Sequence, residues 1–361
     1  MGNQNTSPFK KLKKLLVPLD LSQCVLYKHE LLICGGHERN NCYSYHTHKN
    51  EYKLICKYPS NVKLQGHCVI KLKDNKNDKD NNEITLLSFG GKDKHTLVMK
   101  YVSVWSDDND ISEKSSHDNE WIPFKDNRGK QINIGRDGDN YIGMRALIGG
   151  SENNLLFITC QPKDICVFDL NKFRFIKHET LPTKNDCIYY SCFVAKSENM
   201  TKTNNNNNNN NKKSEMLLFY KKTGLRIEYD EDNNTFQFPE LTVCESIESF
   251  LGYAYVYIND VILFFGGWNG KFGSGAIVSR SVHKYSIRED KWTTFENALP
   301  KPLCGCVGIL NDDNKYVHII GGDNQRLVTV SEHLKAQVSE WLNEERKEEK
   351  KEENGKQDIH V

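Results

Sequence analysis

The fold of this chain is indicated most clearly by the stretch Val261-Ile262-Leu263-Phe264-Phe265-Gly266-Gly267. An apolar run ends on two glycines, and Tyr285 and Trp292 follow it seven residues apart. The unit then ends at Leu299-Pro300. A unit of this length that recurs along a chain fixes its architecture, because each copy is one supersecondary element that stacks on its neighbours.

The same order of features appears near the start of the chain, where Gly35-Gly36 closes an apolar run and Tyr45, Tyr52 and Pro59 follow. The spacing of seven recurs in further units, and the pairs that set the register are Tyr45/Tyr52, Phe168/Phe175, Tyr229/Phe236, Tyr285/Trp292 and Leu334/Trp341, with Trp105 and Trp121 more widely separated in the second unit. The second strands are predicted to end at Gly36, Gly91, about Cys160, about Tyr220, Gly267 and Gly322. We therefore expect six units.

The local chemistry favours antiparallel hairpins. The apolar runs are short, aromatic and β-branched, with Asn, Asp and Gly between them. A diglycine after a strand permits positive φ and close backbone approach at a bend. Aromatic side chains seven apart face each other across a hairpin whose turn lies between them, and such pairs stabilise a sheet. The pair Gly149-Gly150 precedes an apolar run instead of following one, so we expect it to close an innermost strand.

The diglycine, the Tyr-x6-Trp spacing and the Leu-Pro ending resemble the kelch repeat over roughly residues 20 to 342. The resemblance implies an all-β, six-bladed propeller whose blades are four-stranded antiparallel sheets around a central channel. The third and fourth units lack the diglycine, and an unrelated all-β sandwich is the alternative. Residues 1–19 then form a basic N-terminal tail, and residues 343–361 form a charged C-terminal tail.

Composition narrows the class of protein. The chain has 361 residues with 49 basic and 48 acidic side chains, a net charge of +1, which argues against a nucleic-acid-binding surface. No apolar run approaches the roughly 20 residues that span a bilayer. Twelve cysteines occur without an apolar signal sequence at the N-terminus, so we expect a cytoplasmic monomer with reduced thiols.

Propeller topology sorts the loops onto two faces. The loops between strands two and three share one face with the connectors between blades. The predicted partner-binding residues share this face and are Arg39, Trp268, Asn269, Lys271, Phe272 and Arg326. Exposed Trp and Arg side chains are typical of binding hot spots, although Trp268 packing over its own blade edge is the alternative. The opposite face receives a segment of residues 197–215 with eight consecutive asparagines, which we expect to be a disordered insertion.

The N-terminus fits the pattern for myristoylation at Gly2. One acyl chain anchors weakly, so a second signal is needed, and Lys10, Lys11, Lys13 and Lys14 follow as candidate contacts with an anionic membrane. A second interpretation makes residues 9–18 an outer strand that pairs with the last blade and closes the ring.

No catalytic signature stands out in the sequence. His37, Cys42, His46 and His48 are close in sequence, but their spacing matches no zinc pattern, and we expect neither metal nor cofactor. The sequence therefore predicts a non-catalytic scaffold that binds a protein partner through one propeller face. The alternative is a kelch-type propeller enzyme with its site at the channel mouth.

Overall fold

The computed structural model describes residues 7–73, 83–105, 117–183, 187–196, 212–295 and 298–342. Within these ranges 24 strands form six four-stranded antiparallel sheets, which confirms the predicted six-bladed β-propeller. A four-residue α-helix, Ser339–Leu342, follows the last strand. The Asn-rich insertion falls largely on residues 197–211, and these, Gly2 and the tail 343–361 lie outside the described residues.

The strands run from the channel outward in chain order. The first in sequence, β1 (Lys10–Lys11), belongs to the last blade. Blade 1 contains β2 (Gln23–Tyr27), β3 (Glu30–Gly36), β4 (Arg39–His46) and β5 (Glu51–Lys57). Blade 2 contains β6 (His67–Lys71), β7 (Glu83–Gly90), β8 (His95–Val102) and β9 (Ile122–Pro123). Blade 3 contains β10 (Asn140–Gly149), β11 (Leu155–Gln161), β12 (Asp164–Asp169) and β13 (Arg174–Thr180). Blade 4 contains β14 (Cys192–Ala195), β15 (Lys213–Tyr220), β16 (Thr223–Asp230) and β17 (Thr235–Gln237). Blade 5 contains β18 (Ala254–Ile258), β19 (Val261–Phe265), β20 (Val282–Ser286) and β21 (Lys291–Phe295). Blade 6 contains β22 (Val307–Leu310), β23 (Tyr316–Ile320), β24 (His333–Gln337) and β1.

The outermost strand of blade 6 comes from the N-terminal segment. In β1, Lys10 lies opposite Lys335 and Lys11 lies opposite Leu334 of β24. The expected cross-strand pair Leu334/Trp341 is therefore wrong, because Trp341 lies in the helix after β24 and β1 takes the outer position. Trp341 is fully buried and packs beside Phe9, with 5.4 Å between the ring centroids.

The hydrophobic core lies between the blades, since each sheet packs both of its faces against neighbouring sheets. Six clusters of buried side chains fill the six contacts between blades. The cluster between blades 5 and 6 contains Phe265 of β19 and Leu334 of β24. The cluster between blades 6 and 1 joins Ile320 to Leu31 and so closes the ring.

The aromatic pairs with a spacing of seven do face each other across the outer hairpins. Tyr45/Tyr52, Phe168/Phe175, Tyr229/Phe236 and Tyr285/Trp292 are directly opposite in register. Their ring centroids lie 4.8, 5.1, 4.8 and 5.1 Å apart, respectively. These distances are within the range of favourable aromatic contact, so the pairs hold the two outer strands together.

The diglycines of blades 5 and 6 allow the connector to the next blade to approach the end of the second strand. Gly266 has φ 68°, and a Cβ built on it would lie 2.1 Å from the carbonyl oxygen of Leu303. Gly321 has φ 65°, and its Cβ would lie 2.2 Å from the carbonyl oxygen of Leu19. Any other residue would displace the connector. Gly149 ends the innermost strand β10, as its position before an apolar run predicts.

A collar of backbone hydrogen bonds surrounds the channel. One residue at the start of each innermost strand has φ between 51° and 72°, and these residues are Leu21, Gly66, Gly143, Tyr190, Gly252 and Gly305. The collar residues of successive blades are linked by N–H to carbonyl bonds of 2.7–3.4 Å, which run from Gly143 to Gly66, Tyr190 to Gly143, Gly252 to Tyr190, Gly305 to Gly252 and Leu21 to Gly305. These hydrogen bonds hold the innermost strands of successive blades together at the mouth of the channel.

The strand order defines two faces. We call the face with the collar, the connectors and the loops between strands two and three the upper face, and the other the lower face. In blades 1 to 4 the loops on the upper face between strands two and three are short, at residues 37–38, 91–94, 162–163 and 221–222. In blades 5 and 6 they extend over residues 266–281 and 321–332. The upper face therefore carries long loops between strands two and three only on the side of blades 5 and 6.

Candidate functional site: the upper face

The long loop of blade 5 is anchored by Trp268. Its backbone forms isolated bridges with Leu251 and Val278, and its half-buried side chain packs against the core between blades 3 and 4. The indole Nε1 donates to the carbonyl of Lys271 at 2.7 Å. The indole therefore packs and hydrogen-bonds within its own loop region, as the packing interpretation of Trp268 expects. Its part in binding a partner stays a prediction.

Asn269 holds the rest of this loop in one conformation. Its Oδ1 accepts hydrogen bonds from the backbone N–H of Lys271 (3.2 Å) and of Ile277 (3.1 Å), and its Nδ2 donates to the carbonyl of Gly275 (2.9 Å). An Asn that satisfies backbone groups in this way stabilises a loop that has no strand pairing of its own.

The anchored loop presents apolar side chains to solvent. Phe272 is 77% exposed, and its ring contacts Trp268 with 4.7 Å between the centroids. Ile277 on the same loop is 57% exposed. Large apolar side chains grouped on an ordered loop form an unusual surface, whereas apolar side chains scattered singly are normal.

The loop of blade 6 repeats this construction. Asn324 Oδ1 accepts from the backbone N–H of Arg326 (2.8 Å) and of Val328 (3.3 Å). The hydroxyl of Thr329 donates to Asp323 at 2.9 Å. Val328 is 56% exposed. Two neighbouring blades thus present apolar side chains on the upper face from loops braced by an Asn.

The structure places the six sequence-predicted residues on three consecutive blades. Trp268, Asn269, Lys271 and Phe272 lie together on blade 5, Arg326 lies on blade 6, and Arg39 lies at the start of β4 in blade 1. Both arginines are exposed. The sequence analysis missed Ile277 and Val328. Ile277 adjoins Val278 and Val328 adjoins Leu327, so the available signal was a short apolar pair within each loop.

Acidic groups gather where blades 6 and 1 meet on this face. Asp20 is buried, and burial together with the neighbouring Asp323 raises its pKa to about 6. His37 lies beside it, with 3.8 Å between Nδ1 and the Asp20 carboxylate. Burial also raises the pKa of Asp323. Asp20 therefore loses its proton at a pH well above the range in which a carboxyl group ordinarily ionises.

The His and Cys residues considered as metal ligands are separated in the structure. Cys42 is buried and accepts a hydrogen bond from Trp121 Nε1 at 3.3 Å. His37 is paired with Asp20, while the rings of His46 and His48 lie 5.9 Å apart at the turn after β4. Among the described residues these side chains do not converge on one point.

A different group, Asp139, Cys160 and Cys166, brings three ligand atoms within 4.8 Å of one another. Arg136 donates to both carboxylate oxygens of Asp139, at 2.9 and 3.0 Å. A hydrogen bond to Cys166 and burial raise the pKa of the Cys160 thiol, which opposes the thiolate form that metals bind. We interpret the group as an ion pair beside two thiols.

The N-terminal lysines lie at the outer edge of blade 6. Lys10, Lys11, Lys13 and Lys14 are exposed, and the two in β1 are fixed by pairing with β24. Phe9 is buried beside Trp341 and holds this segment in place. No helix in the described part of the chain has both the length and the apolar content needed to cross a bilayer.

Comparison with known proteins supports the fold. No family model and no curated protein matches the chain. A solved structure described as "Structure of YjhT" is similar to it with a TM-score of 0.59, over 89% of this chain and 95% of that one. The two sequences are 14% identical, so the similarity is one of fold.

Proposed function

We propose that this protein is a non-catalytic scaffold that binds a protein partner through the upper face of blades 5, 6 and 1. The observation that carries the proposal is the exposure of Phe272, Ile277 and Val328 on two ordered loops. Binding sites are concentrated on loops that a rigid scaffold positions.

The fixed conformation of these loops favours binding. A loop whose backbone is already fixed loses little conformational entropy when a partner covers it. Asn269 and Asn324 provide that order through the side-chain hydrogen bonds described above. Aromatic and Arg side chains dominate interface energies, and Phe272, Arg326 and Arg39 supply both types here.

We also propose that the chain is a diverged member of the kelch group of propellers. The support is structural. The tyrosine of the repeat faces the aromatic residue seven positions later in blades 1, 4 and 5, and the diglycines of blades 5 and 6 admit the connectors. The blades that depart most from the repeat, the third and fourth, keep the four-stranded sheet.

The partner-binding proposal is tested with paired variants. Phe272→Ser with Ile277→Ser is expected to abolish capture of the partner, because the apolar contacts are lost while the backbone hydrogen bonds from Asn269 remain. The matched control is Leu54→Ser, since Leu54 is 49% exposed on the outer strand β5. The measurement is quantitative affinity purification from the native cytoplasm, with photo-crosslinkers placed at residues 272 and 54.

Proteins lost from the double variant, kept by the Leu54 variant and crosslinked only at position 272 would support the proposal. Equal recovery by all three proteins would contradict it. A reduced thermal midpoint in the double variant alone would show that Phe272 and Ile277 contribute to folding.

We further propose that the protein is cytoplasmic and is tethered to an anionic membrane through an acylated Gly2. The exposed side chains of Lys10, Lys11, Lys13 and Lys14 supply the second signal, at about 1 kcal/mol for each lysine that approaches the lipid. A single acyl chain with a basic cluster is a sufficient combination for stable anchoring.

This proposal predicts that Gly2→Ala moves the protein from the membrane to the soluble fraction. Lys13→Gln with Lys14→Gln is expected to weaken binding of the acylated protein to phosphatidylserine vesicles about thirtyfold, which corresponds to about 2 kcal/mol. Lys125→Gln with Lys130→Gln removes the same charge from exposed positions of the connector after blade 2 and is the control. An intact mass without a lipid adduct on protein from eukaryotic cells would contradict the proposal.

A further inference from the structure

A cavity of about 300 Å³ occupies the upper part of the central channel. Residues of all six innermost strands line it, together with residues of the collar such as Leu21, Tyr190 and Gly305. In three of these strands the lining includes the first residue, namely Gln23 in β2, Ala254 in β18 and Val307 in β22. Because these strands begin at the upper face, the cavity lies at the channel end that carries the collar.

Arg145 is the one charged side chain among the residues that line this cavity. Its guanidinium donates to the carbonyl of Met144 at 2.9 Å and lies 5.7 Å from the centre of the Tyr190 ring. Among the described residues no carboxylate forms an ion pair with it. A half-buried cation without a counter-ion is unfavourable, so the arrangement favours an anion in the cavity.

The remaining wall indicates the class of anion. The lining is otherwise uncharged and includes apolar side chains such as Val69, Leu147 and Val307, with the aromatic Phe193 and Tyr255. Such a wall suits the hydrocarbon part of a ligand, while Arg presents two parallel N–H donors that match a carboxylate. A free phosphate would use the guanidinium but not the apolar wall.

We propose that the channel binds a small organic carboxylate, with Arg145 pairing with the carboxylate group. The site is separate from Phe272 and the loop surface. Both open on the upper face, so a bound carboxylate lies beside the surface of blades 5, 6 and 1 that the protein partner covers.

The test is isothermal titration calorimetry on the full chain with sodium benzoate, sodium acetate and inorganic phosphate as separate probes. We expect benzoate to bind more tightly than acetate, because only benzoate has a body that contacts the apolar wall. Arg145→Gln is expected to weaken benzoate binding by at least about tenfold, which corresponds to about 1.4 kcal/mol.

Arg280→Gln is the matched control, because Arg280 is an exposed arginine of the upper face outside the cavity. Thermal midpoints of all variants establish folding, and Arg145→Lys replaces the Gln variant if that variant is unfolded. The proposal is overturned if benzoate does not bind at millimolar concentration. It is also overturned if Arg145→Gln and Arg280→Gln lose the same affinity, or if phosphate binds as tightly as benzoate. The last result would identify a simple anion site.

Discussion

Gly266 combines two requirements that a glycine can meet, namely a positive φ and the absence of a side chain. Its φ is 68°, and a Cβ would lie 2.1 Å from the Leu303 carbonyl oxygen. Gly129 has φ 80°, but a Cβ there would meet nothing within 4 Å. The two positions therefore separate the effect of backbone conformation from that of steric exclusion.

Gly266→Ala is accordingly expected to be much more destabilising than Gly129→Ala. Each replacement carries the left-handed penalty of about 1 kcal/mol, and only the first adds an overpacking term of about 1–3 kcal/mol. Denaturant unfolding followed by tryptophan fluorescence measures the difference. Equal losses of stability in the two variants would show that the connector moves to accommodate the new methyl group at no cost in the free energy of unfolding.

The outer hairpins contain a second sequence signal, separate from the aromatic spacing of seven, that indicates the position of the turn. The hydroxyl of Tyr45 donates to Asn50 at 2.8 Å, and that of Tyr229 donates to Asn234 at 2.8 Å. In both hairpins the Asn has φ 53°, so its side chain accepts a bond while its backbone makes the turn. Asn or Asp five residues after the tyrosine would have located each turn from sequence.

At the scale of strands, the predicted ends of the second strands were accurate. They lie at Gly36, Gly90, Gln161, Tyr220, Phe265 and Ile320, within two residues of the predicted positions. This accuracy has a local cause, because an apolar run followed by glycines or by a change to polar residues marks a strand end within a few residues of sequence.

Contacts between distant parts of the chain were harder to predict. The pairing of β1 with β24 joins the two ends of the propeller. The sequence analysis offered it only as a second interpretation of residues 9–18, because a two-residue strand gives no periodic signal. The spacing of Leu334 and Trp341 matched the repeat, yet Trp341 packs in a helix. The collar was not visible either, since Leu21 and Tyr190 occupy positive φ without being glycine.

The arrangement of the long upper-face loop of blade 5 was predicted in part, for a comparable reason. Composition drew attention to Trp268 and Phe272, because large aromatic residues are conspicuous in a Gly-rich loop. The roles of the two are different in the structure, since Trp268 packs inward and Phe272 is 77% exposed. That division depends on the hydrogen bonds of Asn269, which join residues up to eight positions apart and follow no sequence pattern.

At the scale of the whole molecule, the start of the described chain and the proposed partner surface lie at different ends of the blades. The strand β24 runs from the upper to the lower face, and β1 is antiparallel to it. Ser7, which precedes β1, therefore lies towards the lower side of blade 6. An acyl chain at Gly2 would draw that side towards the bilayer and leave Phe272 accessible. The two proposals are thus geometrically compatible.

The closure between blades 6 and 1 also gives the whole molecule a dependence on pH. Burial and the nearby Asp323 raise the pKa of Asp20 to about 6 from its usual 3.8, so the folded protein binds this proton more tightly than the unfolded chain does. The contribution of Asp20 to stability is then fully present below about pH 4 and is lost as the pH rises to about 6. Above that pH the folded state must hold a charged carboxylate in a partly dehydrated site.

Asp20→Asn is therefore expected to stabilise the protein relative to the wild type, and this stabilisation should be about 2 kcal/mol larger at pH 8 than at pH 4, after allowance for solvent screening. The measurement is the difference in thermal midpoint between the variant and the wild type at pH 4, 5, 6 and 8, with the exposed Asp137→Asn as the control. The difference should grow between pH 4 and pH 6 and then level off, because Asp20 is fully ionised above its folded pKa. A difference that stays constant over this range would mean that Asp20 carries the same proton in both states, and a difference that shrinks would mean that pairing with His37 outweighs burial.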